Sequence, residues 1–374
     1  MDSIDSKEYQ IMSKDRVVGE YRNGEYRSVD PEREPLFPKN TRDFREWLAD
    51  RCLDVTRKHS RLVIRIAEAT SLAPEDIALK VRAAKITDSY WVREKGSDAA
   101  HIDAKFTRDD LARAALHGDT DCFKYRKSHS PELTNTGSLE KCWMLYGDEW
   151  HLLKQETDRE AFSEIFTSAF ARSLGYNAVQ YSYNAEECAV ECTDFTNAGE
   201  ICLEEANGFI RDYADFEENY RFFRSLGEDM AEEYKKILFV DALCMNVDRH
   251  DHNYGILRDP ETGNIIGMAP NYDNNLSLYT NPACDRGIFN EAFLKDYVAF
   301  FAAHPLKDQP ALNDVLCAAD QAYTVAAEHI PEEQRAFAHR DCVLSFIESG
   351  ALAIGLERER SVQQTVERDE TPER

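Results

Sequence analysis

The sequence predicts an α+β chain of two lobes, a small strand-rich lobe over about 133–195 and a larger helical lobe over about 206–356, preceded by a mostly helical region with one β-hairpin over 1–118. Three observations predict this. The 374 residues exceed what a single typical core organises. The apolar spacing changes from helical to alternating near Pro131 and returns to helical by Met230. With 43% hydrophobic and 11% aromatic residues, the chain can bury a large interior.

In order, Val17 to Val29 alternates around Asn23-Gly24, a dipeptide that supplies the positive φ angles of a tight hairpin turn. Pro31, Pro35 and Pro38 break the pattern. Helices are expected over Asp43–Lys58, where Phe44, Trp47, Leu48, Cys52 and Val55 recur at helical spacing, through Arg61–Ala67, and over Pro74–Lys85. This leading region shows no recognisable chemistry. Its Trp91 and His101 read as core and surface, and it is expected to brace the lobes or to dock a protein partner.

In the strand-rich lobe, Thr134-Asn135-Thr136-Gly137-Ser138 is a small polar turn, and Lys141–Tyr146 and Glu149–Lys154 form a hairpin about Gly147-Asp148. A helix is expected after Thr157, with Ala161, Phe162, Ile165, Phe166, Ala169 and Phe170 as its stripe and Gly175 closing it. Glu160 and Glu164 share one of its faces. Two strands, Val179–Tyr183 and Ala189–Cys192, follow; the chain then loosens from Thr193 to Thr196, where a joint between lobes would present backbone N–H and C=O groups to the adenine edge of a nucleotide, with Glu191 and Thr193 as cofactor-binding residues.

In the helical lobe, Met230, Tyr234, Ile237, Leu238 and Met245 mark a long helix that runs into Asn246-Val247-Asp248. Tyr254–Arg258 and Ile265–Ala269 then form a hairpin across Asp259-Pro260-Glu261-Thr262-Gly263-Asn264. Asn274 to Arg286 is expected as a substrate-facing loop. Helices are expected from Asn290 onward, with one stripe at Phe293, Leu294, Tyr297, Phe300 and Phe301, another over Leu344–Ala353, and a charged tail at 357–374.

Composition excludes some partners. The formal net charge of −25 opposes binding nucleic acid or an anionic membrane by bulk electrostatics. The first residues lack the blocks of a secretory signal and no apolar run is long enough to span a bilayer, so a cytoplasmic location is expected. Ten cysteines are scattered without a CxxC pair, Cys188 and Cys192 being nearest, and they read as reduced core residues.

The densest chemistry lies between Asp248 and Asp273. Asp248-Arg249-His250-Asp251-His252-Asn253 sets a carboxylate five residues before an amide, and the hairpin carries the chain back to a second carboxylate at Asp273. Phosphoryl transfer needs this set: one carboxylate to orient the attacking hydroxyl, and an amide and carboxylate oxygen to hold Mg²⁺ against ATP. Upstream, Lys154 ends a strand that follows a loop of small residues, as a lysine that pairs with nucleotide phosphates does. Gly137 and Ser138 belong to that loop. Glu160 or Glu164 would hold the lysine through an ion pair, and Glu164, mid-helix beside the stripe, is favoured. A polar surface loop could show the same letters; the spacing, the returning hairpin and the separately found lysine argue together against it.

At these residues the sequence resembles HipA-like serine/threonine kinases, which have the protein-kinase-like fold; Asp-Arg-His-x-x-Asn also resembles the loop of phosphatidylinositol kinases. The resemblance covers roughly 133–350, within a unit set at 119–356. It implies that Asp248 orients or deprotonates the acceptor hydroxyl, that Asn253 and Asp273 bind Mg²⁺, and that Lys154 holds the phosphates of ATP. His250 would bond the transferring phosphate or brace the loop, and His252 would face solvent or pack. The implied substrate is Ser or Thr of a protein. Ser138 or Thr136 is the implied site of autophosphorylation in the phosphate loop. Three features depart from the family: Asp273 is followed by Asn274-Asn275, the loop has one glycine, and the leading region does not resemble the N-terminal subdomain of HipA toxins. A nucleotide-binding scaffold without transfer and a lipid or small-molecule kinase are the alternative readings.

Overall fold

The structure, a computed structural model, describes residues 4–126, 128–278, 291–328 and 338–358. The region preceding the strand-rich lobe holds the expected hairpin, β2 (Arg16–Arg22) and β3 (Glu25–Ser28), as part of a four-stranded antiparallel sheet. β1 (Tyr9–Ser13) lies beside β2, and β4 (Tyr90–Glu94) pairs with β1 from about 80 residues downstream. Ile11, Val18, Tyr21, Phe44, Trp47 and Leu48 make its core. The helices here are shorter than expected: α1 (Phe44–Asp50), α2 (Ser60–Ile66), α3 (Pro74–Leu79) and α4 (Ala112–His117). α1 is capped by Asp43, whose side chain accepts from the N–H groups of Arg45 and Glu46. It stops where Arg51 turns into a buried ion pair with Asp88, Nη1 to Oδ2 2.8 Å.

The strand-rich lobe is an antiparallel sheet in the order β5-β6-β8-β7. β5 (Lys141–Tyr146) and β6 (Glu149–Lys154) match the expected hairpin, while β7 (Ser182–Asn184) and β8 (Ala189–Thr193) are short. α5 (Asp158–Ser173) follows β6. Its start is written in a reciprocal cap: Thr157 Oγ1 accepts from Glu160 N–H, and Glu160 accepts from Thr157 N–H at 2.8 Å. Its stripe is buried, with Phe162, Phe166 and Phe170 stacked at 5.8 and 6.0 Å.

β9 (Cys202–Glu205) leads into the helical lobe and joins β10 (Gly255–Arg258) and β11 (Ile265–Met268) in a three-stranded sheet. Around it pack α6 (Phe216–Leu226), α7 (Glu228–Cys244), α8 (Glu291–Ala303), α9 (Leu312–Ala327) and α10 (Arg340–Ala353), whose apolar faces merge with that of α5 into one core. The leading region is tied to this lobe by a buried cluster in which Arg258 meets Glu204 at 2.8 Å and the carbonyl of Glu34 at 2.9 Å, and Tyr90 donates to Glu204 at 2.8 Å. None of the described helices is long and apolar enough to cross a membrane. The substrate-facing loop beyond Leu278 and the tail beyond Arg358 lie outside the described residues.

Candidate active site

A cleft of about 690 Å³ opens where the leading region, the strand-rich lobe and the helical lobe meet. Its volume suits a ligand of cofactor size. Lys154, Asp248, His250, Asn253, Asp273, Gly137, Ser138 and Thr193 all line it. Glu191 does not. Strand side chains alternate between faces, and Glu191 points away from the cleft, where it meets His151 Nδ1 and Asn184 Nδ2 at 2.6 Å each. Its backbone is paired within the sheet, against Leu153 on one side and Ser182 on the other, which corrects the assignment of Glu191 to the nucleotide site.

The geometry of the Asp248–Asn253 loop begins at the end of α7. Met245 adopts a left-handed conformation, φ 48°, and ends the helix. Asp241, fully buried in the last turn, then collects the loop, accepting from Asn246 Nδ2 at 3.1 Å and from Arg249 Nε and Nη2 at 2.9 Å each. Arg249 also donates to the carbonyls of Asn253 and Tyr272 and to Oδ1 of Asn271 and Asn274, the last three at 2.8, 2.9 and 2.7 Å. One guanidinium therefore joins the Asp248–Asn253 segment to the Asn271–Asn274 segment. Burial works against its charge, but the Asp241 carboxylate outweighs burial and raises its pKa. Gly255 permits the close approach that follows, since a Cβ there would sit 2.3 Å from the Glu204 carbonyl oxygen.

Within the loop, Asn253 Nδ2 donates to the Asp248 carbonyl at 2.8 Å, which leaves the amide oxygen as the atom that could take a metal. His250 Nδ1 accepts from the His252 N–H at 3.1 Å, so a neutral ring carries its proton on Nε2, 3.8 Å from Asp248 Oδ2. His252 is fixed by Glu205 at 2.7 Å, and that hydrogen bond raises its pKa. Asp248 is partly exposed to the cleft, and burial, with Asp273 nearby, raises its pKa.

Lys154 lies between two carboxylates, its Nζ 2.7 Å from Glu164 Oε2 and 2.9 Å from Asp273 Oδ1, with the Tyr181 ring at 5.1 Å. Glu164, not Glu160, is thus the helix partner; Glu160 is occupied in the cap. Burial would discharge the lysine, but Asp273 and Glu164 keep it charged and raise its pKa. Glu164 uses its second oxygen to accept from the Asn274 N–H at 3.0 Å, fixing the Asp273 turn to α5. Asp273 has φ 59°, an uncommon conformation for a residue with a side chain. Burial opposes its ionisation, yet Lys154 and Lys141 hold its pKa below the usual carboxylate range. Glu156 is a third carboxyl beside Lys154, at 3.5 Å; burial raises its pKa well above the ordinary range, and neither oxygen has a hydrogen-bond partner among the described residues.

Two contributions were not visible in the motifs. Lys141 stands opposite Lys154 in the β5–β6 register, lines the cleft, and has its pKa lowered to about 8, chiefly by burial. Its signal is the hairpin register: residues directly paired across two strands share a face. The leading region, read as devoid of chemistry, supplies a wall: Ala49, Asp50, Leu53, Asp54, Lys85 and Ile86 line the cleft.

The residues fit Mg²⁺ and a nucleoside triphosphate. An amide oxygen and an ionised carboxylate form a hard-ligand pair of the kind Mg²⁺ takes when substrate phosphates and water complete its shell. Lys154 and Lys141 supply the opposing positive charge. Among the described residues no group of three or more His, Cys, Asp or Glu side chains could hold a metal ion, so the metal assignment rests on Asn253 and Asp273.

No family model and no curated protein matches the chain. Solved structures do. HipA of Shewanella oneidensis MR-1, in the toxin–antitoxin complex with HipB and operator DNA, aligns with a TM-score of 0.52 and 13% identity over 94% of this chain and 100% of that one. The Helicobacter pylori proinflammatory kinase CtkA aligns with a TM-score of 0.34 and 17% identity over 59% of this chain and 90% of that one. The fold expected from the motifs, two-lobed and kinase-like as in HipA, is the fold found. A likeness over 94% of the chain also takes in most of residues 1–118, contrary to the expectation that the leading region departs from HipA.

Proposed function

We propose that this protein is an ATP- and Mg²⁺-dependent kinase that transfers the γ-phosphoryl group to a hydroxyl, the side chain of Ser or Thr in a protein substrate, in the cytoplasm. One observation carries the reading: Lys154 bridges Glu164 and Asp273 in the same cleft that Asp248 and Asn253 line. This is the assembled arrangement in which lysine, helix glutamate and metal-binding aspartate act together in kinases.

Asp248 accepts the proton of the acceptor hydroxyl as its oxygen bonds to phosphorus; the bond between the γ-phosphorus and the bridging oxygen breaks, and ADP leaves. Asn253 holds the Asp248 carbonyl through its amide N–H, and its remaining amide oxygen is the atom that would take a metal ion. Mg²⁺, when bound by Asn253 and Asp273, neutralises charge on the phosphate oxygens. Lys154 and Lys141 offset the remainder, and His250 Nε2 is a donor near the acceptor side. Ser138 and Thr136, on the loop lining the cleft, are the residues within this reading for self-modification.

The test is transfer from labelled Mg-ATP by the purified full chain, to itself and to a panel of protein, lipid and small-molecule acceptors. Transfer to Ser or Thr that is lost in Asp248→Ala supports the proposal. ATP binding with no transfer to any acceptor would favour a nucleotide-binding scaffold, and transfer only to non-protein acceptors would move the substrate class.

A further inference from the structure

We propose that Arg57, from the leading region, is a positioning residue of the nucleotide site, holding the loop at 135–138 in the shape that offers its N–H groups to phosphate. The proposal rests on the nucleotide reading above. Buried Arg57 donates from Nε to the Gly137 carbonyl at 2.6 Å and from Nη2 to the carbonyls of Asn135 at 2.5 Å and Thr136 at 2.7 Å. Three consecutive carbonyls converge on one guanidinium. In each trans peptide the C=O and the following N–H point in opposite directions, so this convergence turns the N–H groups of Thr136, Gly137 and Ser138 the other way. Among the described residues those N–H groups find no acceptor in the chain. The same three residues line the cleft. Successive outward N–H groups about a residue with positive φ, here Gly137 at 94°, make an anion-binding concavity.

Burial lowers the pKa of Arg57, and the carboxylates of Glu132, Glu140 and Asp54 oppose that from beyond ion-pair distance, so its direct hydrogen bonds go to the loop carbonyls. The clasp is also returned. Glu140, at the far end of the loop, accepts from the N–H groups of Lys58 and, at 3.3 Å, His59, and the Leu53 N–H reaches the Leu133 carbonyl at 2.9 Å. The segment 53–59 therefore grips both ends of the loop. In this account the leading region completes the nucleotide site in addition to bracing it.

The experiment measures Mg-ATP and adenosine affinities of the full chain by calorimetry, for wild type, Arg57→Met and Arg57→Lys. Adenosine has no phosphate and does not meet the loop. Arg57→Met is expected to weaken ATP about ten- to a hundred-fold, the loss of charge-assisted hydrogen bonds, with adenosine affinity held within about twofold. Arg57→Lys keeps the charge without the fork and gives the same split at smaller size; it decides the matter where Arg57→Met does not fold. Unchanged ATP affinity overturns the proposal, as does a parallel fall for ATP and adenosine, which would mark a merely structural role. A wild type that binds no ATP overturns the nucleotide reading itself, a result separate from either of these.

Discussion

Replacing Arg249 is the sharpest perturbation of the site's architecture. Its side chain is 5% exposed and its five N–H groups meet six acceptors, three of them on Nη2: both Asp241 oxygens, two backbone carbonyls and two asparagine side chains. Arg249→Met strands a fully buried Asp241 carboxylate and frees the turn that carries Asp273. Removing one partner of such a buried pair costs about 3–5 kcal/mol. At ~2–4 °C per kcal/mol for units of comparable size, the melting temperature should fall by about 6–20 °C. Thermal and urea unfolding measure this, and Asp241→Leu in the same chain should return part of the loss, because no charge is then left unpaired. The variant should also lose metal-dependent nucleotide binding, since the two ligand-bearing segments are no longer joined. A cost below about 1 kcal/mol, as for a surface pair, would refute the reasoning.

Other consequences can be checked separately. Asp248→Ala should abolish transfer while ATP still binds, whereas Asp273→Ala should also remove the Mg²⁺ dependence of binding; equal effects on ATP affinity would contradict the division of roles. Lys141 titrates near 8 because burial lowers it; its charged, phosphate-attracting form is present below that pH and lost above it. ATP affinity should therefore fall as pH rises through about 8, and Lys141→Met should flatten the dependence; a wild-type profile that is already flat contradicts this. Gly137→Ala places a Cβ 2.4 Å from Lys141 Nζ at φ 94°, a strain of about 1–2 kcal/mol. Its ATP affinity should drop about threefold or more in calorimetry, and an unchanged value would mean that the loop does not meet the nucleotide.

Where structure is dictated locally, it was legible. The turn at Gly147-Asp148 and the reciprocal cap of Thr157 and Glu160 each fix an element within a few residues, and β5, β6 and α5 follow. The spacing of Asp248, Asn253 and Asp273 and the lysine ending β6 were readable for the same reason: short-range geometry sets their order, and the hairpin joins them. Long-range pairing was not readable. β1 meets β4 across some 80 residues, so a sheet looked like a lone hairpin with helices. The helix from Asp43 ends at Asp50 because Arg51 leaves it for Asp88 and the Leu53 N–H for Leu133, contacts that no periodicity encodes. Arg57 and the cleft wall at Asp50 and Lys85 were hidden likewise. Glu191 was misjudged because the strand's alternation was not followed to its end: the neighbouring Cys192 faces the cleft, so Glu191 faces away.

The most direct test is a crystal structure of the full chain with Mn²⁺ and a nonhydrolysable ATP analogue, using anomalous scattering to locate the metal. The metal is expected between the Asn253 amide oxygen and the Asp273 carboxylate, with the triphosphate against Lys154 and the N–H groups of 136–138. A nucleotide bound elsewhere, or a metal that ignores both ligands, would contradict it.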